Sequence, residues 1–122
     1  MDKLTVTAGP GTTASSIVFT LQGPITVFDC FDLQYQLQED QSQTTIIDMT
    51  GVPYVDSTGV ALLVRGQTAR DKTGRRMALV GVGKRARTIL ELTRVSQIFQ
   101  MFDNVEAAEA AMKTNPAVVT AD

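Results

Sequence analysis

The sequence predicts a single α/β domain built on a mixed sheet of four to five strands, with about four helices packed mainly on one side. Three observations carry this expectation. The chain has 122 residues, enough for one domain with its own core and little more. Short β-branched runs alternate with longer amphipathic ones in the order strand, strand, helix, then three strand–helix repeats or near-repeats. That order is expected when helices pack on a sheet. The apolar fraction of 43% and charged fraction of 20% are those of an ordinary globular domain.

The first strand is "LTVTAG", ending at the "GPGTTA" turn, and the second is "SSIVFTLQG", rich in β-branched and aromatic residues. Together they predict an N-terminal hairpin. Gly23-Pro24 ends the ladder, because Pro24 has no N–H to donate. From Val27 to Asp40 the spacing of Cys30, Leu33 and Leu37 predicts a helix, with Phe28 and Phe31 widening its apolar face. Thr26 is its candidate N-cap and Asp29 its capping-box acid. "TTIIDM" predicts a buried strand and "TGVPYVD" a loop. "STGVALLVRGQTARD" has helix length, with Gly74 as the stop. "RMALVGV" predicts a strand, and "KRARTILELTRV" a helix with Ala86, Ile89 and Leu90 on one face. "SQIFQMF" predicts a short strand and "NVEAAEAAMK" a helix capped by Asn104. The domain is expected over residues 1–114, with 115–122 a loose C-terminal tail.

Composition narrows the chemistry. There is no histidine, so a histidine-based triad or metal site is excluded, and one cysteine rules out a thiolate zinc cluster. The net charge is −2 with acidic and basic residues read as interspersed, which argues against nucleic acid as a partner. No apolar run reaches the roughly 20 residues that span a bilayer. The N-terminus lacks a signal peptide's apolar core. A single cysteine, unable to form an internal disulfide, agrees with the cytoplasmic location these features predict. Cys30 itself is read as a small core hydrophobe.

Two further motifs are weaker than they look. "GVGKRA", Gly81 to Ala86, fits a loose dinucleotide fingerprint, yet it falls in the third quarter of the chain. A plain strand–turn–helix junction is the preferred reading, and a nucleotide-binding or nucleotide-hydrolysing enzyme the competing one. "DKTG", Asp71 to Gly74, is similar to the phosphorylated loop of ion-pumping ATPases, but Arg75 follows where threonine belongs. A helix end closed by glycine explains it.

The informative stretch is "YVDSTGVALL", Tyr54 to Leu63. Asp56 or Ser57 can cap the following helix, and Gly59 permits a close approach to its first turn. One capping residue would suffice, so Asp, Ser and Thr in succession exceed what a cap requires. Ser57 is a poor nucleophile, since no histidine can take its proton and no G-x-S-x-G elbow surrounds it. It is a good phosphate acceptor. A phosphoserine carries about −1.5 to −2 charges, which free amides and the helix macrodipole tolerate at a helix N-terminus.

"IIDMTGVPYVDSTGVALLV" and the stretch "RMALVGVGKRARTILELTRVSQIFQMFDNVEAAEAAM" resemble the STAS domain of bacterial anti-sigma-factor antagonists, whose junction reads Asp-Ser-[Ser/Thr/Ala]-Gly before an aliphatic helix start. The resemblance covers nearly the whole chain. It implies a switch rather than an enzyme, with no cofactor and no metal. The unmodified protein would bind an anti-sigma factor that is also a serine kinase, and phosphorylation would break the complex. A separate phosphatase would restore it. Carried over, the acceptor is Ser57, and Thr26, Asp56, Ser57, Thr58 and Gly59 form the partner-binding motif. One position departs: the family's Gly-Glu-Leu-Asp after the second strand reads "GPIT" here, so Thr26 stands in place of the acid, with Asp29 three residues on as a possible substitute. The same fold also implies two other roles, a scaffold subunit of a stress-signalling assembly and an accessory of a membrane-transport or lipid-trafficking system.

Overall fold

The computed structural model describes residues 3–13 and 15–114. The elements run β1 (Thr5–Pro10), β2 (Ser16–Gln22), α1 (Phe31–Glu39), β3 (Thr44–Gly51), α2 (Ser57–Lys72), β4 (Arg76–Val80), α3 (Lys84–Leu92), a 3-10 turn (Ser96–Ile98), β5 (Gln100–Phe102) and α4 (Val105–Thr114). They form one five-stranded mixed sheet in the order β1-β2-β3-β4-β5. The hairpin β1/β2 is antiparallel, and β2 through β5 pair in parallel.

Side-chain alternation divides the core. Phe19, Leu21, Ile47, Met49, Met77 and Leu79 face one side, where Leu33 and Leu37 of α1, Leu63 of α2 and Leu90 of α3 cover them. Ile46, Ala78 and Val80 face the other side, beneath Ala108 and Met112 of α4. Three helices therefore lie on one face and one on the other. The central strands β3 and β4 are covered on both faces, which is why they read as continuous apolar runs.

Helix ends follow local chemistry. Asn104 Oδ1 accepts the Ala107 N–H at 2.8 Å and caps α4 as expected. Gly74, at φ +73°, lets the chain turn back after α2, with the Arg75 N–H donating to the Arg70 carbonyl at 2.9 Å. Gly81, at φ +65°, packs against Thr50, so the first glycine of "GVGKRA" is accounted for by a strand–turn–helix junction.

Two expectations are corrected. The first helix begins at Phe31, not Val27, and Cys30 occupies its N-cap without a side-chain bond. The intervening residues are pinned to neighbours: the Val27 N–H donates to Asp56 Oδ2 at 3.0 Å, and Asp29 Oδ2 accepts the Leu4 N–H at 2.6 Å. Thr26 and Asp29 are thus not a cap and its capping-box partner. Phe28 and Phe31 do not widen the buried face either, being 90% and 72% exposed. The second correction is smaller: "SQIFQMF" splits into a 3-10 turn and a three-residue strand. Residues 115–122, expected as a tail, lie outside the described residues. Among the described residues, no helix is long and apolar enough to cross a membrane, and no cluster of three or more cysteine, aspartate or glutamate side chains could hold a metal ion.

Candidate functional site

The site is built where two loops meet at one end of the sheet. After β2, Ile25 pairs with Val55 in a single parallel bridge; its N–H donates to the Tyr54 carbonyl at 3.2 Å, and its carbonyl accepts the Asp56 N–H at 3.1 Å. The loop before α1 is thereby laid against the loop before α2. Ile25 and Val55 are both buried, so the bridge is also an apolar contact.

Asp56 joins the two segments. It is the N-cap of α2, with Oδ1 accepting the Gly59 N–H at 2.9 Å. Its other oxygen accepts the Val27 N–H. One carboxylate therefore satisfies a free amide of the helix and an amide of the facing loop. Gly59 is buried beneath this junction, where an added Cβ would stand 2.5 Å from the Ile25 carbonyl oxygen and 2.6 Å from Val55 Cγ1. The close approach that Gly59 permits is made by the chain's own loop.

With Asp56 as the cap, Ser57 is left free. It holds the first position of α2, is exposed, and makes no side-chain hydrogen bond to another described residue. Thr58 is half-buried beside it. Thr26 is half-buried across the bridge, its hydroxyl accepting the Phe28 N–H at 3.3 Å. The structure thus brings Thr26, Asp56, Ser57, Thr58 and Gly59 to one place. Asp29 is committed to the Leu4 amide.

Next to this cluster stands an exposed ridge, two members of which, Phe28 and Phe31, were expected on the buried face of the first helix. Val27 is 47% exposed, Phe28 90%, Phe31 72% and Tyr35 63%. Phe31 and Tyr35 are one helical turn apart on α1. Large exposed side chains grouped in this way mark interaction surfaces. The sequence does not give this exposure away, because Phe28 and Phe31 fall at spacings that a buried helix face shares.

The charges are not interspersed. Residues 4–64 contain six acids and no lysine or arginine, while ten of the eleven basic residues follow from Arg65 onward. The segment that contributes Ser57, Asp56 and the exposed ridge therefore brings acids and no cation of its own. Arg85, from the first turn of α3, reaches Tyr54 with its guanidinium carbon 4.8 Å from the ring centroid. Cys30 lies buried behind the site, its thiol pushed up by burial and by the nearby carboxylates of Asp56 and Asp29. It stays protonated and acts as a hydrophobe.

Known proteins share this architecture. The family model described as "STAS domain" matches residues 6–108. An anti-sigma factor antagonist from Mycobacterium paratuberculosis superposes with a TM-score of 0.80 at 18% identity, over 91% of this chain and 95% of that one. A sulfate transporter family protein from Wolinella succinogenes gives 0.69 at 24% identity, over 83% and 87%. The Bacillus cell fate determinant SpoIIAA in its phosphorylated form gives 0.68 at 14% identity, over 88% and 99%. At these identities the structures share a fold. With five strands in the sequential order, four helices and a family match over most of its length, the chain belongs to the STAS domain family.

Proposed function

We propose that this protein is an anti-sigma-factor antagonist that works by partner switching in the cytoplasm. Its unmodified form binds an anti-sigma factor that is also a serine kinase; phosphorylation of Ser57 releases it, and a phosphatase resets it. The protein is the substrate of the switch and not an enzyme. The observation that carries this reading is the division of labour at the start of α2: Asp56 does the capping, so the Ser57 hydroxyl is exposed and unengaged. A phosphate there is compatible with the fold, because it sits at the positive end of a 16-residue helix.

Release follows from charge. A kinase that modifies Ser57 brings a nucleotide's terminal phosphate to its hydroxyl. After transfer, about −1.5 to −2 charges on Ser57 face the remaining phosphates of that nucleotide. The segment from residue 4 to residue 64 has no lysine or arginine to pair with them. Thr26, Asp56, Thr58 and the Phe28/Phe31 ridge form the contact surface on this reading, and Gly59 sets the loop that presents it.

The test is incubation with the anti-sigma factor kinase and ATP, read by mass spectrometry. Wild type gains one phosphate and Ser57→Ala gains none. Ser57→Asp weakens binding to the anti-sigma factor by about tenfold or more, some 1.4 kcal/mol, with unchanged thermal unfolding. A phosphate that persists in Ser57→Ala would overturn the assignment. One observation favours a second reading, an assembly scaffold or transport accessory: Thr26 stands where the antagonists' acid is expected. On that reading Ser57 stays unmodified and the protein elutes in a large particle with its partners.

A further inference from the structure

A groove of about 550 Å³ runs between α1 and the C-terminal two-thirds of α2, away from Ser57. Its size lies within the range of small-ligand sites. Leu37 of α1 and Leu62 and Ala69 of α2 supply apolar wall, and Gly66 lies on the floor. Gly66 is the informative residue. It sits in mid-helix, where glycine is unfavourable relative to alanine. Gly59, on the same helix, is forced by a close approach; Gly66 is not. An added Cβ there would meet Leu37 Cδ1 at 3.5 Å and Met77 Sδ at 3.6 Å, which are ordinary contacts. The third neighbour, Arg70 Nη1 at 3.7 Å, is no closer, so packing admits a methyl group at this point and the sequence leaves bare backbone in the groove's lining.

The polar lining has one sign. Arg65, Arg70 and Lys72 border the groove, and none of its described lining side chains is acidic. Arg70 is met from below by Asp40. Arg65 and Lys72 are exposed, and neither makes an ion pair with a described residue. They stand two turns apart along the rim, about 10 Å by helical rise.

We propose that this groove binds a free single-chain alkyl carboxylate, its chain against Leu37, Leu62, Gly66 and Ala69 and its head group held by Arg65 and Lys72. The site is distinct from the Ser57 face, and its test needs no partner protein.

The probe is decanoate, titrated below its micelle-forming concentration into the ¹⁵N-labelled full chain and followed by amide chemical shifts. Saturable shifts centred on Leu37, Gly66 and Ala69 are expected, with none from decyltrimethylammonium at equal concentration. The double charge reversal Arg65→Glu/Lys72→Glu alters only exposed side chains and is expected to weaken binding about tenfold or more. Gly66→Leu plugs the floor and is expected to abolish the shifts; if it unfolds, the charge reversal decides alone. Shifts that do not saturate, equal binding of the cationic amphiphile, or unchanged affinity in the charge-reversed protein would each overturn the proposal. So would tighter binding to phosphatidylglycerol vesicles than to decanoate, which would make the rim a membrane contact.

Discussion

Gly59 and Gly66 lie on the same face of α2 and carry opposite expectations. At Gly59 a methyl group would collide with the Ile25 carbonyl and Val55, both fixed by the bridge between the two loops. Gly59→Ala is expected to destabilise by about 2 kcal/mol, the range of core overpacking. At Gly66 the methyl group finds ordinary contacts, so Gly66→Ala is expected to stabilise by about 0.4–1 kcal/mol through the lower entropy of the unfolded chain. Urea unfolding of both variants checks the pair, and a common sign would refute it. Asp56 gives the second residue-scale expectation. Asp56→Ala removes a cap worth about 1 kcal/mol and also the hold on Val27. It should lower stability by about 2 kcal/mol and speed amide hydrogen exchange at both Gly59 and Val27; Asp56→Asn should recover part of the loss. Most of this site was legible in "VDSTG", because capping chemistry is local. The partner of Gly59 was not, since it comes from Ile25, 34 positions earlier in the chain. The committed bond from Asp29 to Leu4 was hidden for the same reason.

Elements were legible where their periodicity was undisturbed. β3 and β4 are short apolar runs covered on both faces, and α2 and α4 have a recognisable stop or cap in Gly74 and Asn104. The start of α1 differs from the expectation because Val27, Phe28 and Phe31 continue the helical spacing of the buried Cys30, Leu33 and Leu37 but themselves face outward. Spacing reports a face but not which side of the molecule it meets; the bonds from Val27 to Asp56 and from Leu4 to Asp29 hold this stretch outside the helix. The end of α3 shows a local rule broken. Arg94 takes a left-handed conformation, φ 63°, so that the Val95 N–H can donate to the Leu90 carbonyl at 3.0 Å. That closure is the usual place for glycine, and a side chain there costs about 1–2 kcal/mol. Arg94 is exposed and forms no ion pair with a described residue. Arg94→Gly is therefore expected to raise stability by about 1 kcal/mol, seen as a higher urea midpoint at unchanged slope. A lower midpoint would mean that the Arg94 side chain contributes more than the backbone strain removes.

At the scale of the whole molecule, one buried ion pair fastens three elements of the α1/α2 layer. Arg70 of α2 is 1% exposed, yet its guanidinium donates to Asp40 Oδ2 at 2.9 Å, to the Leu37 carbonyl at 2.9 Å, to the Gly66 carbonyl at 3.1 Å and to Thr45 Oγ1 at 3.2 Å. The end of α1, the middle of α2 and the start of β3 are tied through it. Nothing in "GQTARD" announces this, because an arginine near a helix end reads as a solvated charge. Asp40 is the titratable partner. Burial pushes its carboxyl up, but the hydrogen bonds from Thr45, from Ser42 and from Arg70 together outweigh burial, and the group is held below the ordinary carboxylate value. A lowered folded value means that the unfolded chain binds the proton more readily. The pair's contribution is then fully present above the unfolded value of about 3.9 and is lost as pH falls through the lower folded value. Stability attributable to Asp40 should be level from pH 7 to about 5 and decline below about 4. Asp40→Asn leaves Arg70 buried without its counter-charge and is expected to cost about 3–5 kcal/mol at pH 7. Because the substituted group cannot titrate, the cost should shrink toward pH 3. Urea midpoints for wild type and Asp40→Asn at pH 7, 5, 4 and 3 test this directly. A gap between the two proteins that stays constant down to pH 3 would show that Asp40 titrates alike in the folded and unfolded chains, and that the pair holds the layer by geometry rather than by charge.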